Sequence, residues 1–216
     1  MDITVDYNPY VSNDLCTIMH KYGSDKGAPN NTGWHNYTTF YHALFSPIRN
    51  ESLRVFELGL GTNNISLPSN MGANGKPGAS LRAWREYFPN ASVFGADIDK
   101  DILFNEDRIR TFYCDQLSPE IIKNMWTDSD LVDEFDIIIE DGLHTFEANK
   151  CFFENSIHKL KKRGVYIIED INRESFDKIN EEVEKWKDIY SSLIFRFIEI
   201  PGHNTWDNNL LVIQNT

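Results

Sequence analysis

Two segments of this chain end alike in acid: Ile139-Glu140-Asp141 and Ile168-Glu169-Asp170. Each pair follows a nearly unbroken apolar run, over 135–139 and 164–168, the pattern of a strand buried on both faces. If the two strands are neighbours, their ends lie about 5 Å apart. Up to four carboxylates then crowd one sheet edge, and because successive side chains alternate between faces, two or three of them would converge. Like charges that close are costly unless protonated or bridged by a cation. Oxygen-only ligands suit a hard ion such as Mg²⁺, which keeps waters and open positions for substrate oxygens. The competing reading is that these acids cap the following helices or solvate a rim, and the matched pair favours the metal. His144 stands three residues past Asp141, after a glycine that permits a sharp exit from the strand. A histidine there suits a general base, since an unperturbed imidazole titrates at about 6.5. Taken alone, it would be a polar surface residue at a helix start.

A second constellation is the turn Glu57-Leu58-Gly59-Leu60-Gly61-Thr62. Its glycines let the backbone turn tightly and approach a ligand, or else merely make a turn. A dinucleotide fingerprint wants a third glycine where Asn64 stands, and an acid about 20 residues further on. The acidic strand end, Asp97, comes much later. An acid-x-Gly-x-Gly turn with a second acid at the next strand end resembles the class I S-adenosylmethionine (SAM)-dependent methyltransferases. That resemblance implies that Glu57 lies near the methionine part of SAM and its ammonium, that Asp97 takes the ribose hydroxyls, and that Asp115 faces the adenine.

The elements that position these residues alternate. Strands are predicted over 53–58, 92–97, 109–114, 135–139 and 164–168, and helices over 80–88 (with Ser80 as N-cap), 118–126, 144–160 and 175–186. Two last strands, 193–200 and 209–213, have no room for a helix between them and form a hairpin. This is an α/β doubly wound, mostly parallel seven-stranded sheet with a C-terminal antiparallel hairpin, which binds ligands at the carboxyl ends of its strands. Residues 1–50, with helices over 11–22 and 36–46, form an N-terminal extension that serves as lid or oligomer contact; 51–216 form the SAM-binding domain. The long Gly-, Asn- and Pro-rich stretch 62–78 is a loop.

Composition narrows the partners. The 216 residues suffice for one sizeable core. A net charge of −12 would repel a phosphate backbone, so nucleic acid is not an expected partner. No apolar run approaches the ~18–20 residues needed to span a bilayer, so no membrane partner is expected. The start, Met1 to Asp6, has no basic or apolar signal run. Three cysteines without CxxC spacing point to reduced thiols and a cytoplasmic location.

Several segments together resemble the macrocin and mycinamicin sugar O-methyltransferases, which are metal-dependent class I enzymes. They are Lys21-Tyr-Gly-Ser-Asp-Lys-Gly27, His35-Asn-Tyr37, Ser80-Leu-Arg-Ala-Trp84, Tyr87-Phe-Pro-Asn90, Gly95-Ala-Asp97, Asp115-Gln116, Asp141-Gly-Leu-His144 and Gly164-Val-Tyr-Ile-Ile-Glu-Asp170. The resemblance implies Mg²⁺ ligation by Asp141, Glu169 and Asp170, with His144 as base. It also implies SAM contacts from Glu57, Gly59, Gly61, Asp97, Asp115 and Gln116, with Ser24 near SAM or closing over it. Leu143 departs from the small residue usual there. The expected activity is SAM- and Mg²⁺-dependent methylation of a hydroxyl on a small molecule, a sugar or a sugar-bearing metabolite such as an antibiotic or surface-polysaccharide precursor. A homo-oligomer fits the same picture. Trp34, His35, Tyr37, His203, Asn204 and Trp206 are candidates for the acceptor pocket, or else core and loop residues. The rival readings are a nicotinamide-dependent oxidoreductase, disfavoured by the missing glycine and the doubled Glu-Asp ends, and a SAM-binding module without catalysis.

Overall fold

A computed structural model describes residues 3–202 and 204–216. Strands β1 (Arg54–Leu58), β2 (Ser92–Asp97), β4 (Ile109–Tyr113), β5 (Phe135–Glu140) and β6 (Leu160–Ile168) pair in parallel. Strands β7 (Leu193–Glu199) and β8 (Asn209–Asn215) form the predicted hairpin, and β8 lies antiparallel to β6. The sheet has eight strands where seven were expected. The extra one is β3 (Asn105–Glu106), two residues that turn back on β4 at the sheet edge. So short a ladder has no hydrophobic alternation to read.

The spatial order is β3-β4-β2-β1-β5-β6-β8-β7. The chain therefore leaves β1 in one direction through β2 and returns on its other side with β5. That reversal opens a crevice at the carboxyl ends of β1 and β5.

Period-two alternation sorts the strand residues into two apolar layers. Val55, Ile137, Ile139, Val165 and Ile167 face one layer. It contains helices α1 (Asp14–Tyr22), α2 (Tyr37–Phe45) and α3 (Ala79–Tyr87). Phe56, Leu58, Ile138, Tyr166 and Ile168 face the other, with α4 (Pro119–Met125), α5 (Phe146–Ser156) and α6 (Arg173–Ile189). The N-terminal helices are thus built into a sheet core: Tyr41 and Phe45 of α2 pack with Trp84 of α3.

Helix α3 is not capped by Ser80. Gly78, at φ +72°, is its N-cap, and Ser80 lies inside the helix with its hydroxyl turned to Glu57. Helix α5 is shorter at both ends than its sequence pattern, because Thr145 caps its start and a 3₁₀ turn follows Ser156. Among the described residues, no helix is long and apolar enough to cross a membrane.

Candidate metal and cofactor site

The alternation of the sheet decides where each acid goes. Glu140 follows Ile138 onto the second layer, where Tyr166 donates to its Oε2 at 2.5 Å and Gln116 to its Oε1 at 2.7 Å. Glu140 is therefore a buried structural acid. Glu57 and Glu169 fall on the first layer. Glu57 accepts from the Ser80 hydroxyl at 2.6 Å and the Trp84 indole at 2.5 Å, and Glu169 accepts from the Tyr41 hydroxyl at 2.5 Å. Between them stands Lys26, whose Nζ donates to Asp141 Oδ2 at 2.5 Å and to Glu169, and lies 3.5 Å from Glu57.

Asp141 and Asp170 come at the points where β5 and β6 end and the chain turns. The Asp141 N–H still donates to Leu58 O, and the Glu169 N–H to Glu140 O, so both turns are extensions of the ladder. His144 sits between the two aspartates. Its Nε2 is 3.0 Å from Asp141 Oδ1 and its Nδ1 is 3.4 Å from Asp170 Oδ2. Ligand atoms of Asp141, His144 and Asp170 all lie within 4.8 Å of one another. His144 (φ +58°) and Asp170 (φ +55°) both adopt the left-handed backbone conformation. That costs non-glycine residues about 1–2 kcal/mol each, and such strain collects where a site needs a particular side-chain aim. Behind Asp170, the Tyr37 hydroxyl donates to its Oδ1 at 2.6 Å, and His35 stacks on Tyr37.

The site is short of positive charge. Burial raises the pKa of Glu57, Glu169 and Asp170, and repulsion from neighbouring carboxylates adds to it against the pull of Lys26 or His144. Asp141 alone is drawn down: burial opposes its charge, but Lys26 and His144 outweigh it. For His144, burial lowers the pKa, yet the Asp141 hydrogen bond and the Asp170 charge lift it to about 9. Two aspartates and an imidazole with surplus negative charge suit a divalent cation.

A cavity of about 430 Å³ adjoins this group, within the usual span of small-molecule sites, about 300–1,000 Å³. Ser24, Gly59, Gly61, Asp97, Asp115, Gln116, Asp141, His144 and Asp170 line it. Gly59 (φ +89°) and Gly61 (φ +73°) carry the turn after β1. Asp97 accepts from the Leu60 N–H at 2.7 Å and the Asp99 N–H at 2.8 Å, which fixes its carboxylate at the cavity wall. Gln116 accepts from the Leu143 N–H at 2.8 Å and so holds the 141–144 turn against Glu140. Glu57 and Glu169 are not part of the cavity wall; they sit one layer behind it, on Lys26.

Of the acceptor-pocket candidates, Trp34 and His35 line the cavity. Tyr37 is buried behind Asp170, Asn204 is buried in its own loop, and Trp206 is half exposed and not among the residues of the cavity wall. His203 lies outside the described residues. Sequence reading missed Lys26, although it named the segment that carries it. It also missed Ile98 and Leu117, large apolar side chains left about half exposed where they border the cavity. An apolar residue directly after Asp97, and another two after Asp115, was the available signal.

No protein-family model matches the chain. It is 30% identical over 157 residues, 73% of its length, to the 8-demethyl-8-alpha-L-rhamnosyl tetracenomycin-C 2'-O-methyltransferase of Streptomyces olivaceus. It is 31% identical over 137 residues, 63% of its length, to the demethylmacrocin O-methyltransferase of Streptomyces fradiae. The matches cover 37% and 32% of those proteins, so the chain spans about a third of the length of its curated relatives. Among solved structures, the MycE methyltransferase of the mycinamycin biosynthetic pathway, in complex with Mg and SAH, superposes with a TM-score of 0.70 at 23% identity. That match covers 95% of this chain and 55% of MycE. The fold is that of the class I methyltransferases. By sequence, the chain is a homologue of the sugar O-methyltransferases of tetracenomycin, macrocin and mycinamicin type.

Proposed function

We propose that this chain transfers the methyl group of SAM to a sugar hydroxyl in a reaction that depends on Mg²⁺ or a similar divalent cation. The observation that carries the reading is that Asp141, His144 and Asp170 converge on the rim of the same cavity that Gly59, Gly61 and Asp97 line. The relatives' names supply the acceptor class, a sugar-bearing small molecule.

SAM would lie over the glycine turn, with Asp97 at its ribose, Asp115 and Gln116 towards its base, and Ile98 and Leu117 giving apolar contact. Ser24 would close the cavity from the N-terminal side. Residues 1–50 would then serve as cover for the site and 51–216 as the cofactor domain. Asp141 and Asp170 would hold the cation directly. Glu169, tied to Lys26, would join them only by giving up that partner.

When bound, the cation supplies a Lewis acid and template for an acceptor hydroxyl, and SAM supplies the methyl group. The chain's own part is to place that hydroxyl and take its proton. A hydroxyl brought beside Asp141 and Asp170 would come within reach of the ring of His144. With both ring nitrogens on carboxylates and a pKa near 9, His144 is held charged in the metal-free protein. A base must be neutral, and a cation drawing those carboxylates away would favour the neutral ring. The acids thereby link proton removal to metal binding.

The test is methyl transfer from SAM to a panel of free and glycosidic sugars, with Mg²⁺ and with excess EDTA. The reading expects methylated sugar only with the metal. Equal turnover in EDTA would remove the metal role. SAM binding without any transfer across the panel would favour the non-catalytic module.

A further inference from the structure

An ammonium is costly to bury unless carboxylates surround it, and Lys26 is 2% exposed. Its Nζ meets three acids, Glu57, Asp141 and Glu169, which belong to the ends of three adjacent strands, β1, β5 and β6. The lysine itself comes from outside the sheet, from the segment between α1 and α2. Its backbone is fixed on both sides. The Lys26 N–H donates to Ser24 Oγ, its carbonyl accepts from the Thr38 N–H at 3.2 Å, and the Asp25 carbonyl accepts from the His35 N–H at 3.1 Å. Next to it, a β-carbon on Gly27 would stand 2.0 Å from Thr38 Oγ1, so the segment lies flush on α2. The ammonium is delivered to its place by a rigid strap.

We infer that Lys26 is a resident counter-ion of the metal centre: it holds the three acidic strand ends together without a divalent ion, and it moderates how tightly they bind one. This rests on the metal reading above. Lys26 borders the cavity but acts here through the three acids it holds, as a positioning residue. Without it, Glu57, Asp141 and Glu169 would repel one another in a buried space, and the same surplus charge would draw a divalent ion more strongly. With it, Asp141 keeps one oxygen on the ammonium and turns the other to His144.

The test uses Mn²⁺ as the probe and the full chain. Mn²⁺ affinity is measured by calorimetry, with the electron paramagnetic resonance of bound Mn²⁺ as an independent readout. Melting is followed in EDTA and in saturating Mn²⁺. Lys26→Met should melt well below the wild type in EDTA, recover most of that loss in Mn²⁺, and bind Mn²⁺ at least about tenfold more tightly. Lys26→Arg, which keeps the charge, should stay within about threefold of the wild type in affinity. The inference is overturned if Lys26→Met binds Mn²⁺ no more tightly than the wild type. It is also overturned if that variant loses the same melting temperature with and without Mn²⁺, or stays unfolded at saturating Mn²⁺. If the wild type itself binds no Mn²⁺, the metal reading falls and this inference with it. If the wild type binds but Lys26→Met is unchanged, only the counter-ion role falls.

Discussion

The carbonyl oxygen of Asp141 lies 1.7 Å from where a β-carbon at Gly59 would stand. The turn after β1 and the turn after β5 therefore touch backbone to backbone, and Gly59 is a glycine because of that contact as well as its φ of +89°. The glycine turn and the candidate metal ligand are one packed unit. Gly59→Ala should cost roughly 2–4 kcal/mol from strain and overpacking and should weaken SAM and Mn²⁺ binding together. Denaturant unfolding and two titrations check this. A variant as stable as the wild type would mean that the two turns do not meet.

Gln116 links the same unit to the far side of the sheet, donating to Glu140 and accepting from the Leu143 N–H. Gln116→Leu leaves a buried carboxylate and a backbone N–H without those partners, a loss of about 1–3 kcal/mol. The 141–144 turn should loosen, so Mn²⁺ affinity should fall as well. Unchanged stability in urea would count against the link.

His144→Gln removes the group proposed to take the acceptor proton. Turnover should drop by about 10²–10⁴-fold, while SAM affinity, measured by calorimetry, stays near the wild-type value. Turnover equal to the wild type would take His144 out of the chemistry.

The pH dependence of stability follows from the same residue. In metal-free protein, His144 is lifted to about 9 in the fold, against about 6.5 in an unfolded chain. A raised pKa stabilises below the unfolded value. That contribution is complete below pH 6.5 and is lost as pH rises through 9. In EDTA, unfolding free energy should decline by up to about 3 kcal/mol across that window, and His144→Gln should flatten the decline. Saturating Mg²⁺, which is diamagnetic, should pull the imidazole pKa down, and NMR titration of the ring would detect it.

The strongly periodic parts of the fold were legible. The apolar runs 135–139 and 164–168 do lie side by side as β5 and β6, and the final strands do form a hairpin. The two-residue β3 was not, because a ladder that short leaves no pattern. Ser80 had the chemistry of an N-cap, but Gly78 holds that place and the hydroxyl serves Glu57 instead. At the site, Asp141, His144 and Asp170 meet. The fate of the two glutamates turned on alternation: Glu140 went to Tyr166 and Glu169 to Lys26. Lys26 was hidden because nothing local marks a lysine in a loop for burial. Its hydrogen-bond partners Asp141 and Glu169 lie 115 and 143 residues further along the chain.

The most direct measurement is anomalous diffraction from crystals grown with Mn²⁺ and S-adenosylhomocysteine. The account predicts one strong manganese peak within coordinating reach of Asp141 and Asp170, beside His144, with the nucleoside lying along the cavity that Gly59 and Asp97 line. A saturating soak that leaves no peak between those two aspartates, or places the nucleoside elsewhere, would contradict it.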